Sequence, residues 1–178
     1  MTGMSDYIVF FEKQLERVNY WLSYAETKNA AMIALNVAMC AVFISMSLPG
    51  SLYAVVMVGL LVSTIILMIS FFPFLGNKVS KKKKEKTEDN YIFFGDIALT
   101  NNANDYISKV DIRYFNGKQQ SNENSKLVLD LANEIIYNSR LARRKFVVFR
   151  LALGIDILVV AYMVIRFLPY VLSLFNSI

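Results

Sequence analysis

The chain has 178 residues, of which 56% are hydrophobic and 19% charged, and its mean hydropathy is +0.42. A soluble domain of this length has a smaller apolar share and a larger charged share. The chain has no histidine and one cysteine, which excludes histidine-based acid–base catalysis, the common zinc sites and an intramolecular disulfide. The composition therefore favours a membrane protein with one domain as the default.

The first predicted element is a helix that begins as an amphipathic segment and continues into lipid. Residues 1–28 carry apolar side chains at spacings of three and four, with charged side chains between them. Residues 29–48 follow without an intervening proline or glycine, and they are uncharged and mostly apolar. We predict one helix through both segments, with Trp21 and Tyr24 at the membrane interface and Lys28 as the last charge before the hydrocarbon.

Two further segments are long enough to cross a bilayer. Residues 52–75 follow the first span after a Pro-Gly turn, and residues 146–168 form the third span. A spanning helix needs roughly 20 apolar residues, which each segment supplies. The alternative is a buried hairpin of a soluble protein, but the first two spans lack the polar face that such a hairpin shows to water. We predict three transmembrane helices, followed by an external tail at residues 169–178.

Residues 76–145 separate the second and third spans and hold a dense set of positive charges. The basic residues that follow the second span and precede the third are Lys78, Lys81, Lys82, Lys83, Lys84, Lys86, Arg140, Arg143, Arg144 and Lys145. The positive-inside rule places this region and the amino terminus in the cytoplasm and the carboxyl terminus outside. The lysine run lacks interleaved aromatic residues, so we expect it to attract anionic lipid and not nucleic acid.

The cytoplasmic region itself is predicted to be helical. Residues 102–115 form a short helix that ends at the Asn116-Gly117 turn, and a longer helix begins near Ser125 and runs into the third span. The predicted fold is therefore mostly α. It is an integral membrane protein with three transmembrane helices, the first and third of which extend into a cytoplasmic helical domain.

Two polar residues lie in the middle of predicted spans. Asp156 in the third span is costly, on the order of 3 kcal/mol on insertion scales, and Asn36 lies in the first. Asp156 could line a pore or gate in an oligomer, or it could form a helix–helix hydrogen bond, for example to Asn36, or be a protonated acid. The sequence has no Walker loop, no GxGxxG and no recognisable pair of carboxylates, so we expect no enzyme activity, cofactor or metal.

Three segments resemble, in order and spacing, the transmembrane effector family of bacterial Pycsar (pyrimidine cyclase) antiphage systems. They are VNYWLSYAETKNAAMIALN at 18–36, DNYIFFGDIALTNNANDYISKV at 89–110 and DLANEIIYNSRLARRKFVVFRLAL at 130–153. The positions that match the family's motifs are Trp21, Ala25, Glu26, Lys28, Phe94, Gly95, Asp96, Ile97, Ser139 and Lys145. Glu26 stands where the family usually has Asp, and Asn29 where it usually has Ala.

The resemblance implies an antiphage effector of the bacterial inner membrane. A partner cyclase would make a cyclic nucleotide, cyclic UMP or cyclic CMP, which residues 76–145 would sense. The chains would then form a homo-oligomer and impair the membrane, causing abortive infection. The residues expected to bind the ligand are Trp21, Tyr24, Glu26, Lys28, Phe94, Gly95, Asp96, Arg140 and Arg143.

The chemistry of those residues suits a nucleotide, but other interpretations stay open. Aromatic rings can stack on a base, and arginines can bind a phosphate, although Arg143 could equally be a topology charge. Two other functions fit the same sequence. One is a constitutive membrane anchor or adaptor, and the other is a holin-like pore without a nucleotide ligand.

Overall fold

The computed structural model describes residues 2–46, 50–72, 90–117 and 125–175. In these ranges the chain forms five α-helices and no strand, which confirms the predicted mostly α fold. The helices are α1 (Thr2–Ser45), α2 (Gly50–Ile69), α3 (Phe94–Ile97), α4 (Ala103–Tyr114) and α5 (Ser125–Phe175). Several predicted features extend beyond the described residues. The lysine run at 78–86 lies outside them, as do Pro49 of the Pro-Gly turn, residues 73–75 of the second span and residues 176–178 of the tail.

Helices α1 and α5 are much longer than a membrane span. Helix α1 has 44 residues and is continuous from the amphipathic segment into the first apolar one, as predicted. Helix α5 has 51 residues and begins at the predicted Ser125. It continues through Pro169 to Phe175, so the predicted tail begins as helix. A proline removes one backbone hydrogen bond, which membrane helices tolerate where neighbouring groups compensate.

The contacts within the chain define two compact units. Unit 1 comprises Met1–Ala25 and Phe74–Lys145, and unit 2 comprises Glu26–Pro73 and Phe146–Ile178. Helices α1 and α5 each contribute residues to both units.

Unit 1 has an aromatic core between α1 and α4. Phe11 and Tyr106 are fully buried, and their ring centroids lie 5.9 Å apart in an edge-to-face arrangement. Tyr7 packs edge-on against Phe11 at 5.2 Å and against Phe115 at 4.8 Å. Val18 continues the same buried face of α1, as the spacing of apolar residues predicted. Edge-to-face pairs of this kind add about 0.5–1.5 kcal/mol each beyond the burial of their surface.

A connecting segment at residues 90–102, which contains α3, is attached to three different helices of unit 1. Gln14 of α1 donates to the carbonyl of Ile92 at 2.8 Å, and Tyr106 of α4 donates to that of Tyr91 at 2.9 Å. The Arg140 side chain of α5 donates to nearby carbonyls further along the segment. These bonds satisfy backbone acceptors that would otherwise lack partners inside the protein.

Unit 2 brings α1, α2 and α5 together around an apolar cluster. Leu52, Val56 and Leu60 of α2 are buried there with Phe43 of α1 and Val159 of α5. A Cβ at Gly59 would lie 2.3 Å from the Val159 side chain, so the close approach of α2 and α5 requires a glycine.

Three helices among the described residues are long and apolar enough to cross a membrane, which confirms the predicted number of spans. The segments are Asp6–Ser45, Gly50–Ile69 and Lys126–Pro169. Many large apolar side chains of unit 2 face outward, including Leu158 at 70% exposure and Ile165 at 68%. So many exposed large apolar side chains are unfavourable in water and suit a lipid environment. The exact extent of each span in the bilayer stays a prediction.

Two buried tyrosines of unit 1 provide a matched test of the core. The Tyr106 hydroxyl donates a hydrogen bond, whereas the buried Tyr7 hydroxyl has no partner within the described residues. We expect Tyr106→Phe to lower the free energy of unfolding by about 0.5–1.5 kcal/mol at pH 7. Tyr7→Phe should leave it unchanged or raise it. Denaturant unfolding of the detergent-solubilised protein measures both, and a larger loss for Tyr7→Phe would contradict the described core.

The buried Tyr7 also predicts that the stability of the protein depends on pH in the alkaline range. Burial, with a smaller contribution from the nearby Asp111 carboxylate, raises the pKa of Tyr7 to about 12. In the unfolded chain this tyrosine loses its proton near its ordinary pKa of about 10. Between these two pH values the unfolded state binds fewer protons, so the free energy of unfolding falls as the pH rises. Tyr7→Phe should make that fall shallower in unfolding measured from pH 9 to pH 12.

Candidate functional site

Unit 1 brings together two of the aromatic residues predicted to bind a ligand. The rings of Trp21 on α1 and Phe94 on α3 lie 5.5 Å apart at an angle of 34°. Phe94 is buried, so its ring is largely covered by protein. Tyr24 is 42% exposed and lies parallel to the Tyr20 ring at 6.4 Å. Tyr24 therefore has a larger exposed fraction than Trp21 and Phe94, the other two aromatic residues predicted to bind the ligand.

Gly95 and Asp96 shape the segment that carries Phe94. A Cβ at Gly95 would lie 2.4 Å from the Phe93 ring, so glycine lets this ring pack on the backbone. The Asp96 carboxylate accepts a hydrogen bond from the backbone N–H of Asn90 at 3.2 Å. Both residues have a structural role here, and their predicted contact with a ligand stays a prediction.

Arg140 binds backbone carbonyls near the carboxyl-terminal end of the connecting segment at residues 90–102. Its Nη2 donates to the carbonyls of Thr100 at 2.7 Å and Asn101 at 3.2 Å, and its Nε donates to that of Ala98 at 3.4 Å. Partial burial lowers the pKa of the guanidinium, which nevertheless stays protonated at physiological pH. Arg143, the other predicted phosphate ligand, is exposed on α5. Arg140 therefore positions the backbone, and the predicted ligand contacts of Arg140 and Arg143 both stay predictions.

A groove of about 400 Å³ lies beside Arg140. Ligand pockets typically measure roughly 300–1,000 Å³, so its size suits a small molecule. Its lining consists of Asn101, Asn102, Ala103, Asn133, Ile136, Tyr137 and Arg140. Asparagine amides offer both donors and acceptors, as the edge of a pyrimidine base requires.

The sequence reasoning missed most of this groove. Asn133 and Tyr137 are exposed and lie one turn apart on α5, and the adjacent Asn101 and Asn102 precede α4. Asn102 also caps α4, because its Oδ1 accepts from the N–H of Asp105 at 2.8 Å. The only sequence signal was the local concentration of asparagines, which also marks ordinary turns and helix caps.

The predicted ligand residues Glu26 and Lys28 belong to unit 2 and are described there. Glu26 is exposed. The Lys28 ammonium lies 4.6 Å from the centroid of the Phe149 ring and 5.9 Å from that of Phe146. A cation at these distances interacts favourably with the ring faces. Lys28 therefore helps to hold α1 against the part of α5 that carries Phe146 and Phe149. Its predicted contact with a ligand stays a prediction.

A second polar site lies inside unit 2, where each of the three helices supplies one buried side chain. Asn36 of α1 donates to the Ser63 hydroxyl of α2 at 3.0 Å. Ser63 in turn donates to the Asp156 carboxylate of α5 at 2.9 Å, with the carbonyl of Ala152 also near at 3.4 Å. Asp156 thus forms a helix–helix hydrogen bond, and Ser63 links it to Asn36. The sequence reasoning did not select Ser63, because one serine in an apolar span carries no distinctive signal.

A similar contact, seven residues away on each segment, joins α1 to the residue that directly follows α2. Asn29 donates to the Ser70 hydroxyl at 2.8 Å, and both residues are buried. Asn29 and Asn36 are two turns apart on α1, while Ser63 lies on α2 and Ser70 directly follows its last residue, Ile69. The two bonds therefore fix the register of the antiparallel pair. Within the described ranges no group of three or more His, Cys, Asp or Glu residues is placed to hold a metal ion.

The model of the Pycsar effector protein domain family, PycTM, matches residues 10–174. The chain belongs to this family. The match extends through both units and confirms the resemblance seen in the sequence. No curated protein and no solved structure matches the chain. Membership identifies the chain as a membrane effector of an antiviral defence system, linked to a cyclase that is a separate protein.

Arg140 and Arg143 of this effector provide a matched pair of arginines. Arg140→Leu removes the donors of three backbone carbonyls, and each hydrogen bond to a charged group contributes about 1.5–3 kcal/mol. We expect faster amide exchange at residues 98–106 and a lower melting temperature. Arg143→Leu removes an exposed charge and should change neither. Hydrogen–deuterium exchange measures the first property and thermal unfolding the second. Equal amide protection in the two variants would argue against the anchoring role of Arg140.

Ser63 and Thr64 of the effector are neighbours whose hydroxyls bond differently. Ser63→Ala removes the link between the three helices, whereas Thr64→Val removes a bond to the Leu60 carbonyl of its own helix at 2.8 Å. Hydrogen bonds between membrane helices contribute roughly 0.6–2 kcal/mol. We expect Ser63→Ala to destabilise the protein by about 1–2 kcal/mol and Thr64→Val by less, measured by unfolding in mixed micelles. A larger effect at Thr64 would contradict this interpretation.

Proposed function

We propose that this chain is the membrane-impairing effector of an antiphage system that is activated by a cyclic nucleotide. A partner cyclase makes the nucleotide, cyclic UMP or cyclic CMP, during infection. Unit 1 senses it in the cytoplasm, and the spans of several chains then assemble and impair the inner membrane. The infected cell stops growing before the phage matures. The observation that carries this proposal is the family match over residues 10–174.

Two features of unit 1 support a role in sensing. The groove beside Arg140 has the size and the amide lining that a nucleobase needs, and Tyr137 is 40% exposed at its wall. Tyr24 presents a second exposed ring on α1. In this proposal the ligand binds unit 1 through these groups, and the predicted residues Trp21, Phe94, Gly95 and Asp96 form the framework behind them. Arg143 supplies a positive charge on the same helix as Asn133 and Tyr137.

The cytoplasmic location of unit 1 rests on charge. The basic residues adjoining the second and third spans support a cytoplasmic location for residues 76–145, by the positive-inside rule. Since α1 and α5 contribute to both units, a ligand that favours one packing of unit 1 can bias the packing of unit 2. An oligomer is part of the proposal because three helices from one chain cannot enclose an aqueous pore.

The decisive measurement is membrane potential in bacteria that express the chain. With an active pyrimidine cyclase we expect rapid depolarisation, and with a catalytically inactive cyclase none. Depolarisation without any cyclase would indicate a holin-like pore. If the membrane potential changes neither with cyclic UMP nor with cyclic CMP, the result would contradict the proposal and favour an adaptor.

A pair of asparagine variants tests whether the groove takes part. Asn133 lines the groove, whereas Asn104 is exposed on α4 and does not. Losing one hydrogen bond to a ligand costs about 1.5 kcal/mol, which corresponds to roughly a tenfold change in affinity. We therefore expect Asn133→Ala to require about ten times more cyclic nucleotide for depolarisation, with Asn104→Ala like the unchanged protein. Calorimetric titration of the purified protein with cyclic UMP and cyclic CMP measures the same difference directly.

A further inference from the structure

Asp156 carries a carboxyl group into the apolar interior of unit 2. It is 9% exposed, and its one hydrogen bond within the described residues comes from Ser63. No lysine or arginine of the described ranges lies within ion-pair distance of it. An unneutralised carboxylate in hydrocarbon is costly, on the order of 3 kcal/mol or more. The described chain thus supplies no counter-charge for this group.

The hydrogen bonds of the cluster are also incomplete. Ser63 has one hydroxyl hydrogen, which it donates to Oδ2 of Asp156, and its oxygen accepts from Asn36. Oδ1 of Asp156 and Oδ1 of Asn36 are both buried and have no donor within the described residues. A buried acceptor without a donor costs about 1–3 kcal/mol. The cluster is therefore short of both positive charge and hydrogen-bond donors.

We propose that this cluster binds a monovalent cation, either a proton or Na⁺. Its oxygens come from the Asp156 carboxyl, the Asn36 amide, the Ser63 hydroxyl and the Ala152 carbonyl, and oxygen donors of this type suit hard cations. The single negative charge is balanced by one positive charge, which favours a monovalent ion over Ca²⁺ or Mg²⁺. A proton on Asp156 would supply a hydrogen-bond donor to the cluster, and Na⁺ would supply the missing positive charge.

The other titratable groups of these helices do not provide the charge. Cys40 of α1 and Tyr162 of α5 are partly buried against the apolar cluster, and Tyr53 lies on α2. Arg150 and Arg166 of α5 are exposed, and Lys28 lies over the Phe149 ring. None of these side chains is bonded to Asp156 in the structure. The bound cation is therefore a part of the three-helix packing and does not depend on whether unit 1 senses a nucleotide.

The experiment uses the purified full-length chain in detergent, with choline replacing Na⁺ at constant ionic strength. Infrared spectroscopy detects a protonated carboxyl group, and thermal unfolding detects stabilisation by Na⁺. We compare the unchanged chain with Asp156→Asn, which removes the charge and supplies an amide donor. The control is Asp105→Asn, which removes a half-exposed carboxylate of unit 1 that pairs with Lys109 at 2.9 Å.

A protonated-carboxyl absorption at neutral pH that is lost in Asp156→Asn but kept in Asp105→Asn identifies the ligand as a proton. A melting temperature that rises by several degrees with Na⁺, and not in Asp156→Asn, identifies it as Na⁺. The proposal is overturned if infrared spectroscopy shows that Asp156 is ionised and the protein also has the same melting temperature in Na⁺ and in choline.

A second variant keeps the test valid if Asp156→Asn does not fold. Asn36→Ala retains the carboxyl group but removes one oxygen of the proposed site. We expect it to reduce the Na⁺-dependent rise in melting temperature at least twofold, or to shift the pH at which the protonated absorption disappears. Unchanged values for both properties in Asn36→Ala would remove Asn36 from the site and contradict the proposal.

Discussion

The hydrogen bond between Ser63 and Asp156 is the interaction on which the packing of the membrane unit depends. In hydrocarbon, polar side chains find partners only within the protein, since no water is present to replace a lost bond. Ser63 is a single hydroxyl that joins three helices, because it accepts from Asn36 and donates to Asp156. Any change in the relative position of α1, α2 and α5 must therefore break at least one of these bonds or exchange it for another.

The need to give buried polar groups a partner also organises unit 1. Helices α1, α4 and α5 each supply a side-chain donor for backbone carbonyls of the segment at residues 91–101. Gln14, Tyr106 and Arg140 are far apart in sequence, but each holds the same segment. The groove exists because this segment is held against α5, which places Asn101 and Asn102 opposite Asn133 and Tyr137.

The helices were predictable from the sequence, whereas the partners of their polar side chains were not. The three-and-four spacing in α1, the turn after α4 and the length of the apolar runs depend on local order, which the sequence shows directly. The contact of Arg140 with Thr100 depends on folding across 40 residues. A guanidinium binds a carbonyl or a phosphate through the same N–H groups, so the sequence did not reveal that Arg140 binds backbone carbonyls. Ser63 was overlooked because its partner Asp156 is 93 residues away in sequence and a single serine in an apolar span carries no distinctive signal.

The polar contacts of unit 2 also define how large a signal the proposed mechanism needs. Among the described residues, the side-chain hydrogen bonds that hold unit 2 together include Asn29 to Ser70, Asn36 to Ser63 and Ser63 to Asp156. At roughly 0.6–2 kcal/mol each, breaking all three would cost about 2–6 kcal/mol. Moving a two-state equilibrium from one extreme to the other requires about 5.5 kcal/mol of differential binding. A micromolar ligand provides about 8 kcal/mol in total, so most of its binding energy must be specific to the active packing. A cyclic nucleotide with equal affinity for the resting and the active packing of the helices would not break these hydrogen bonds, however tightly it bound.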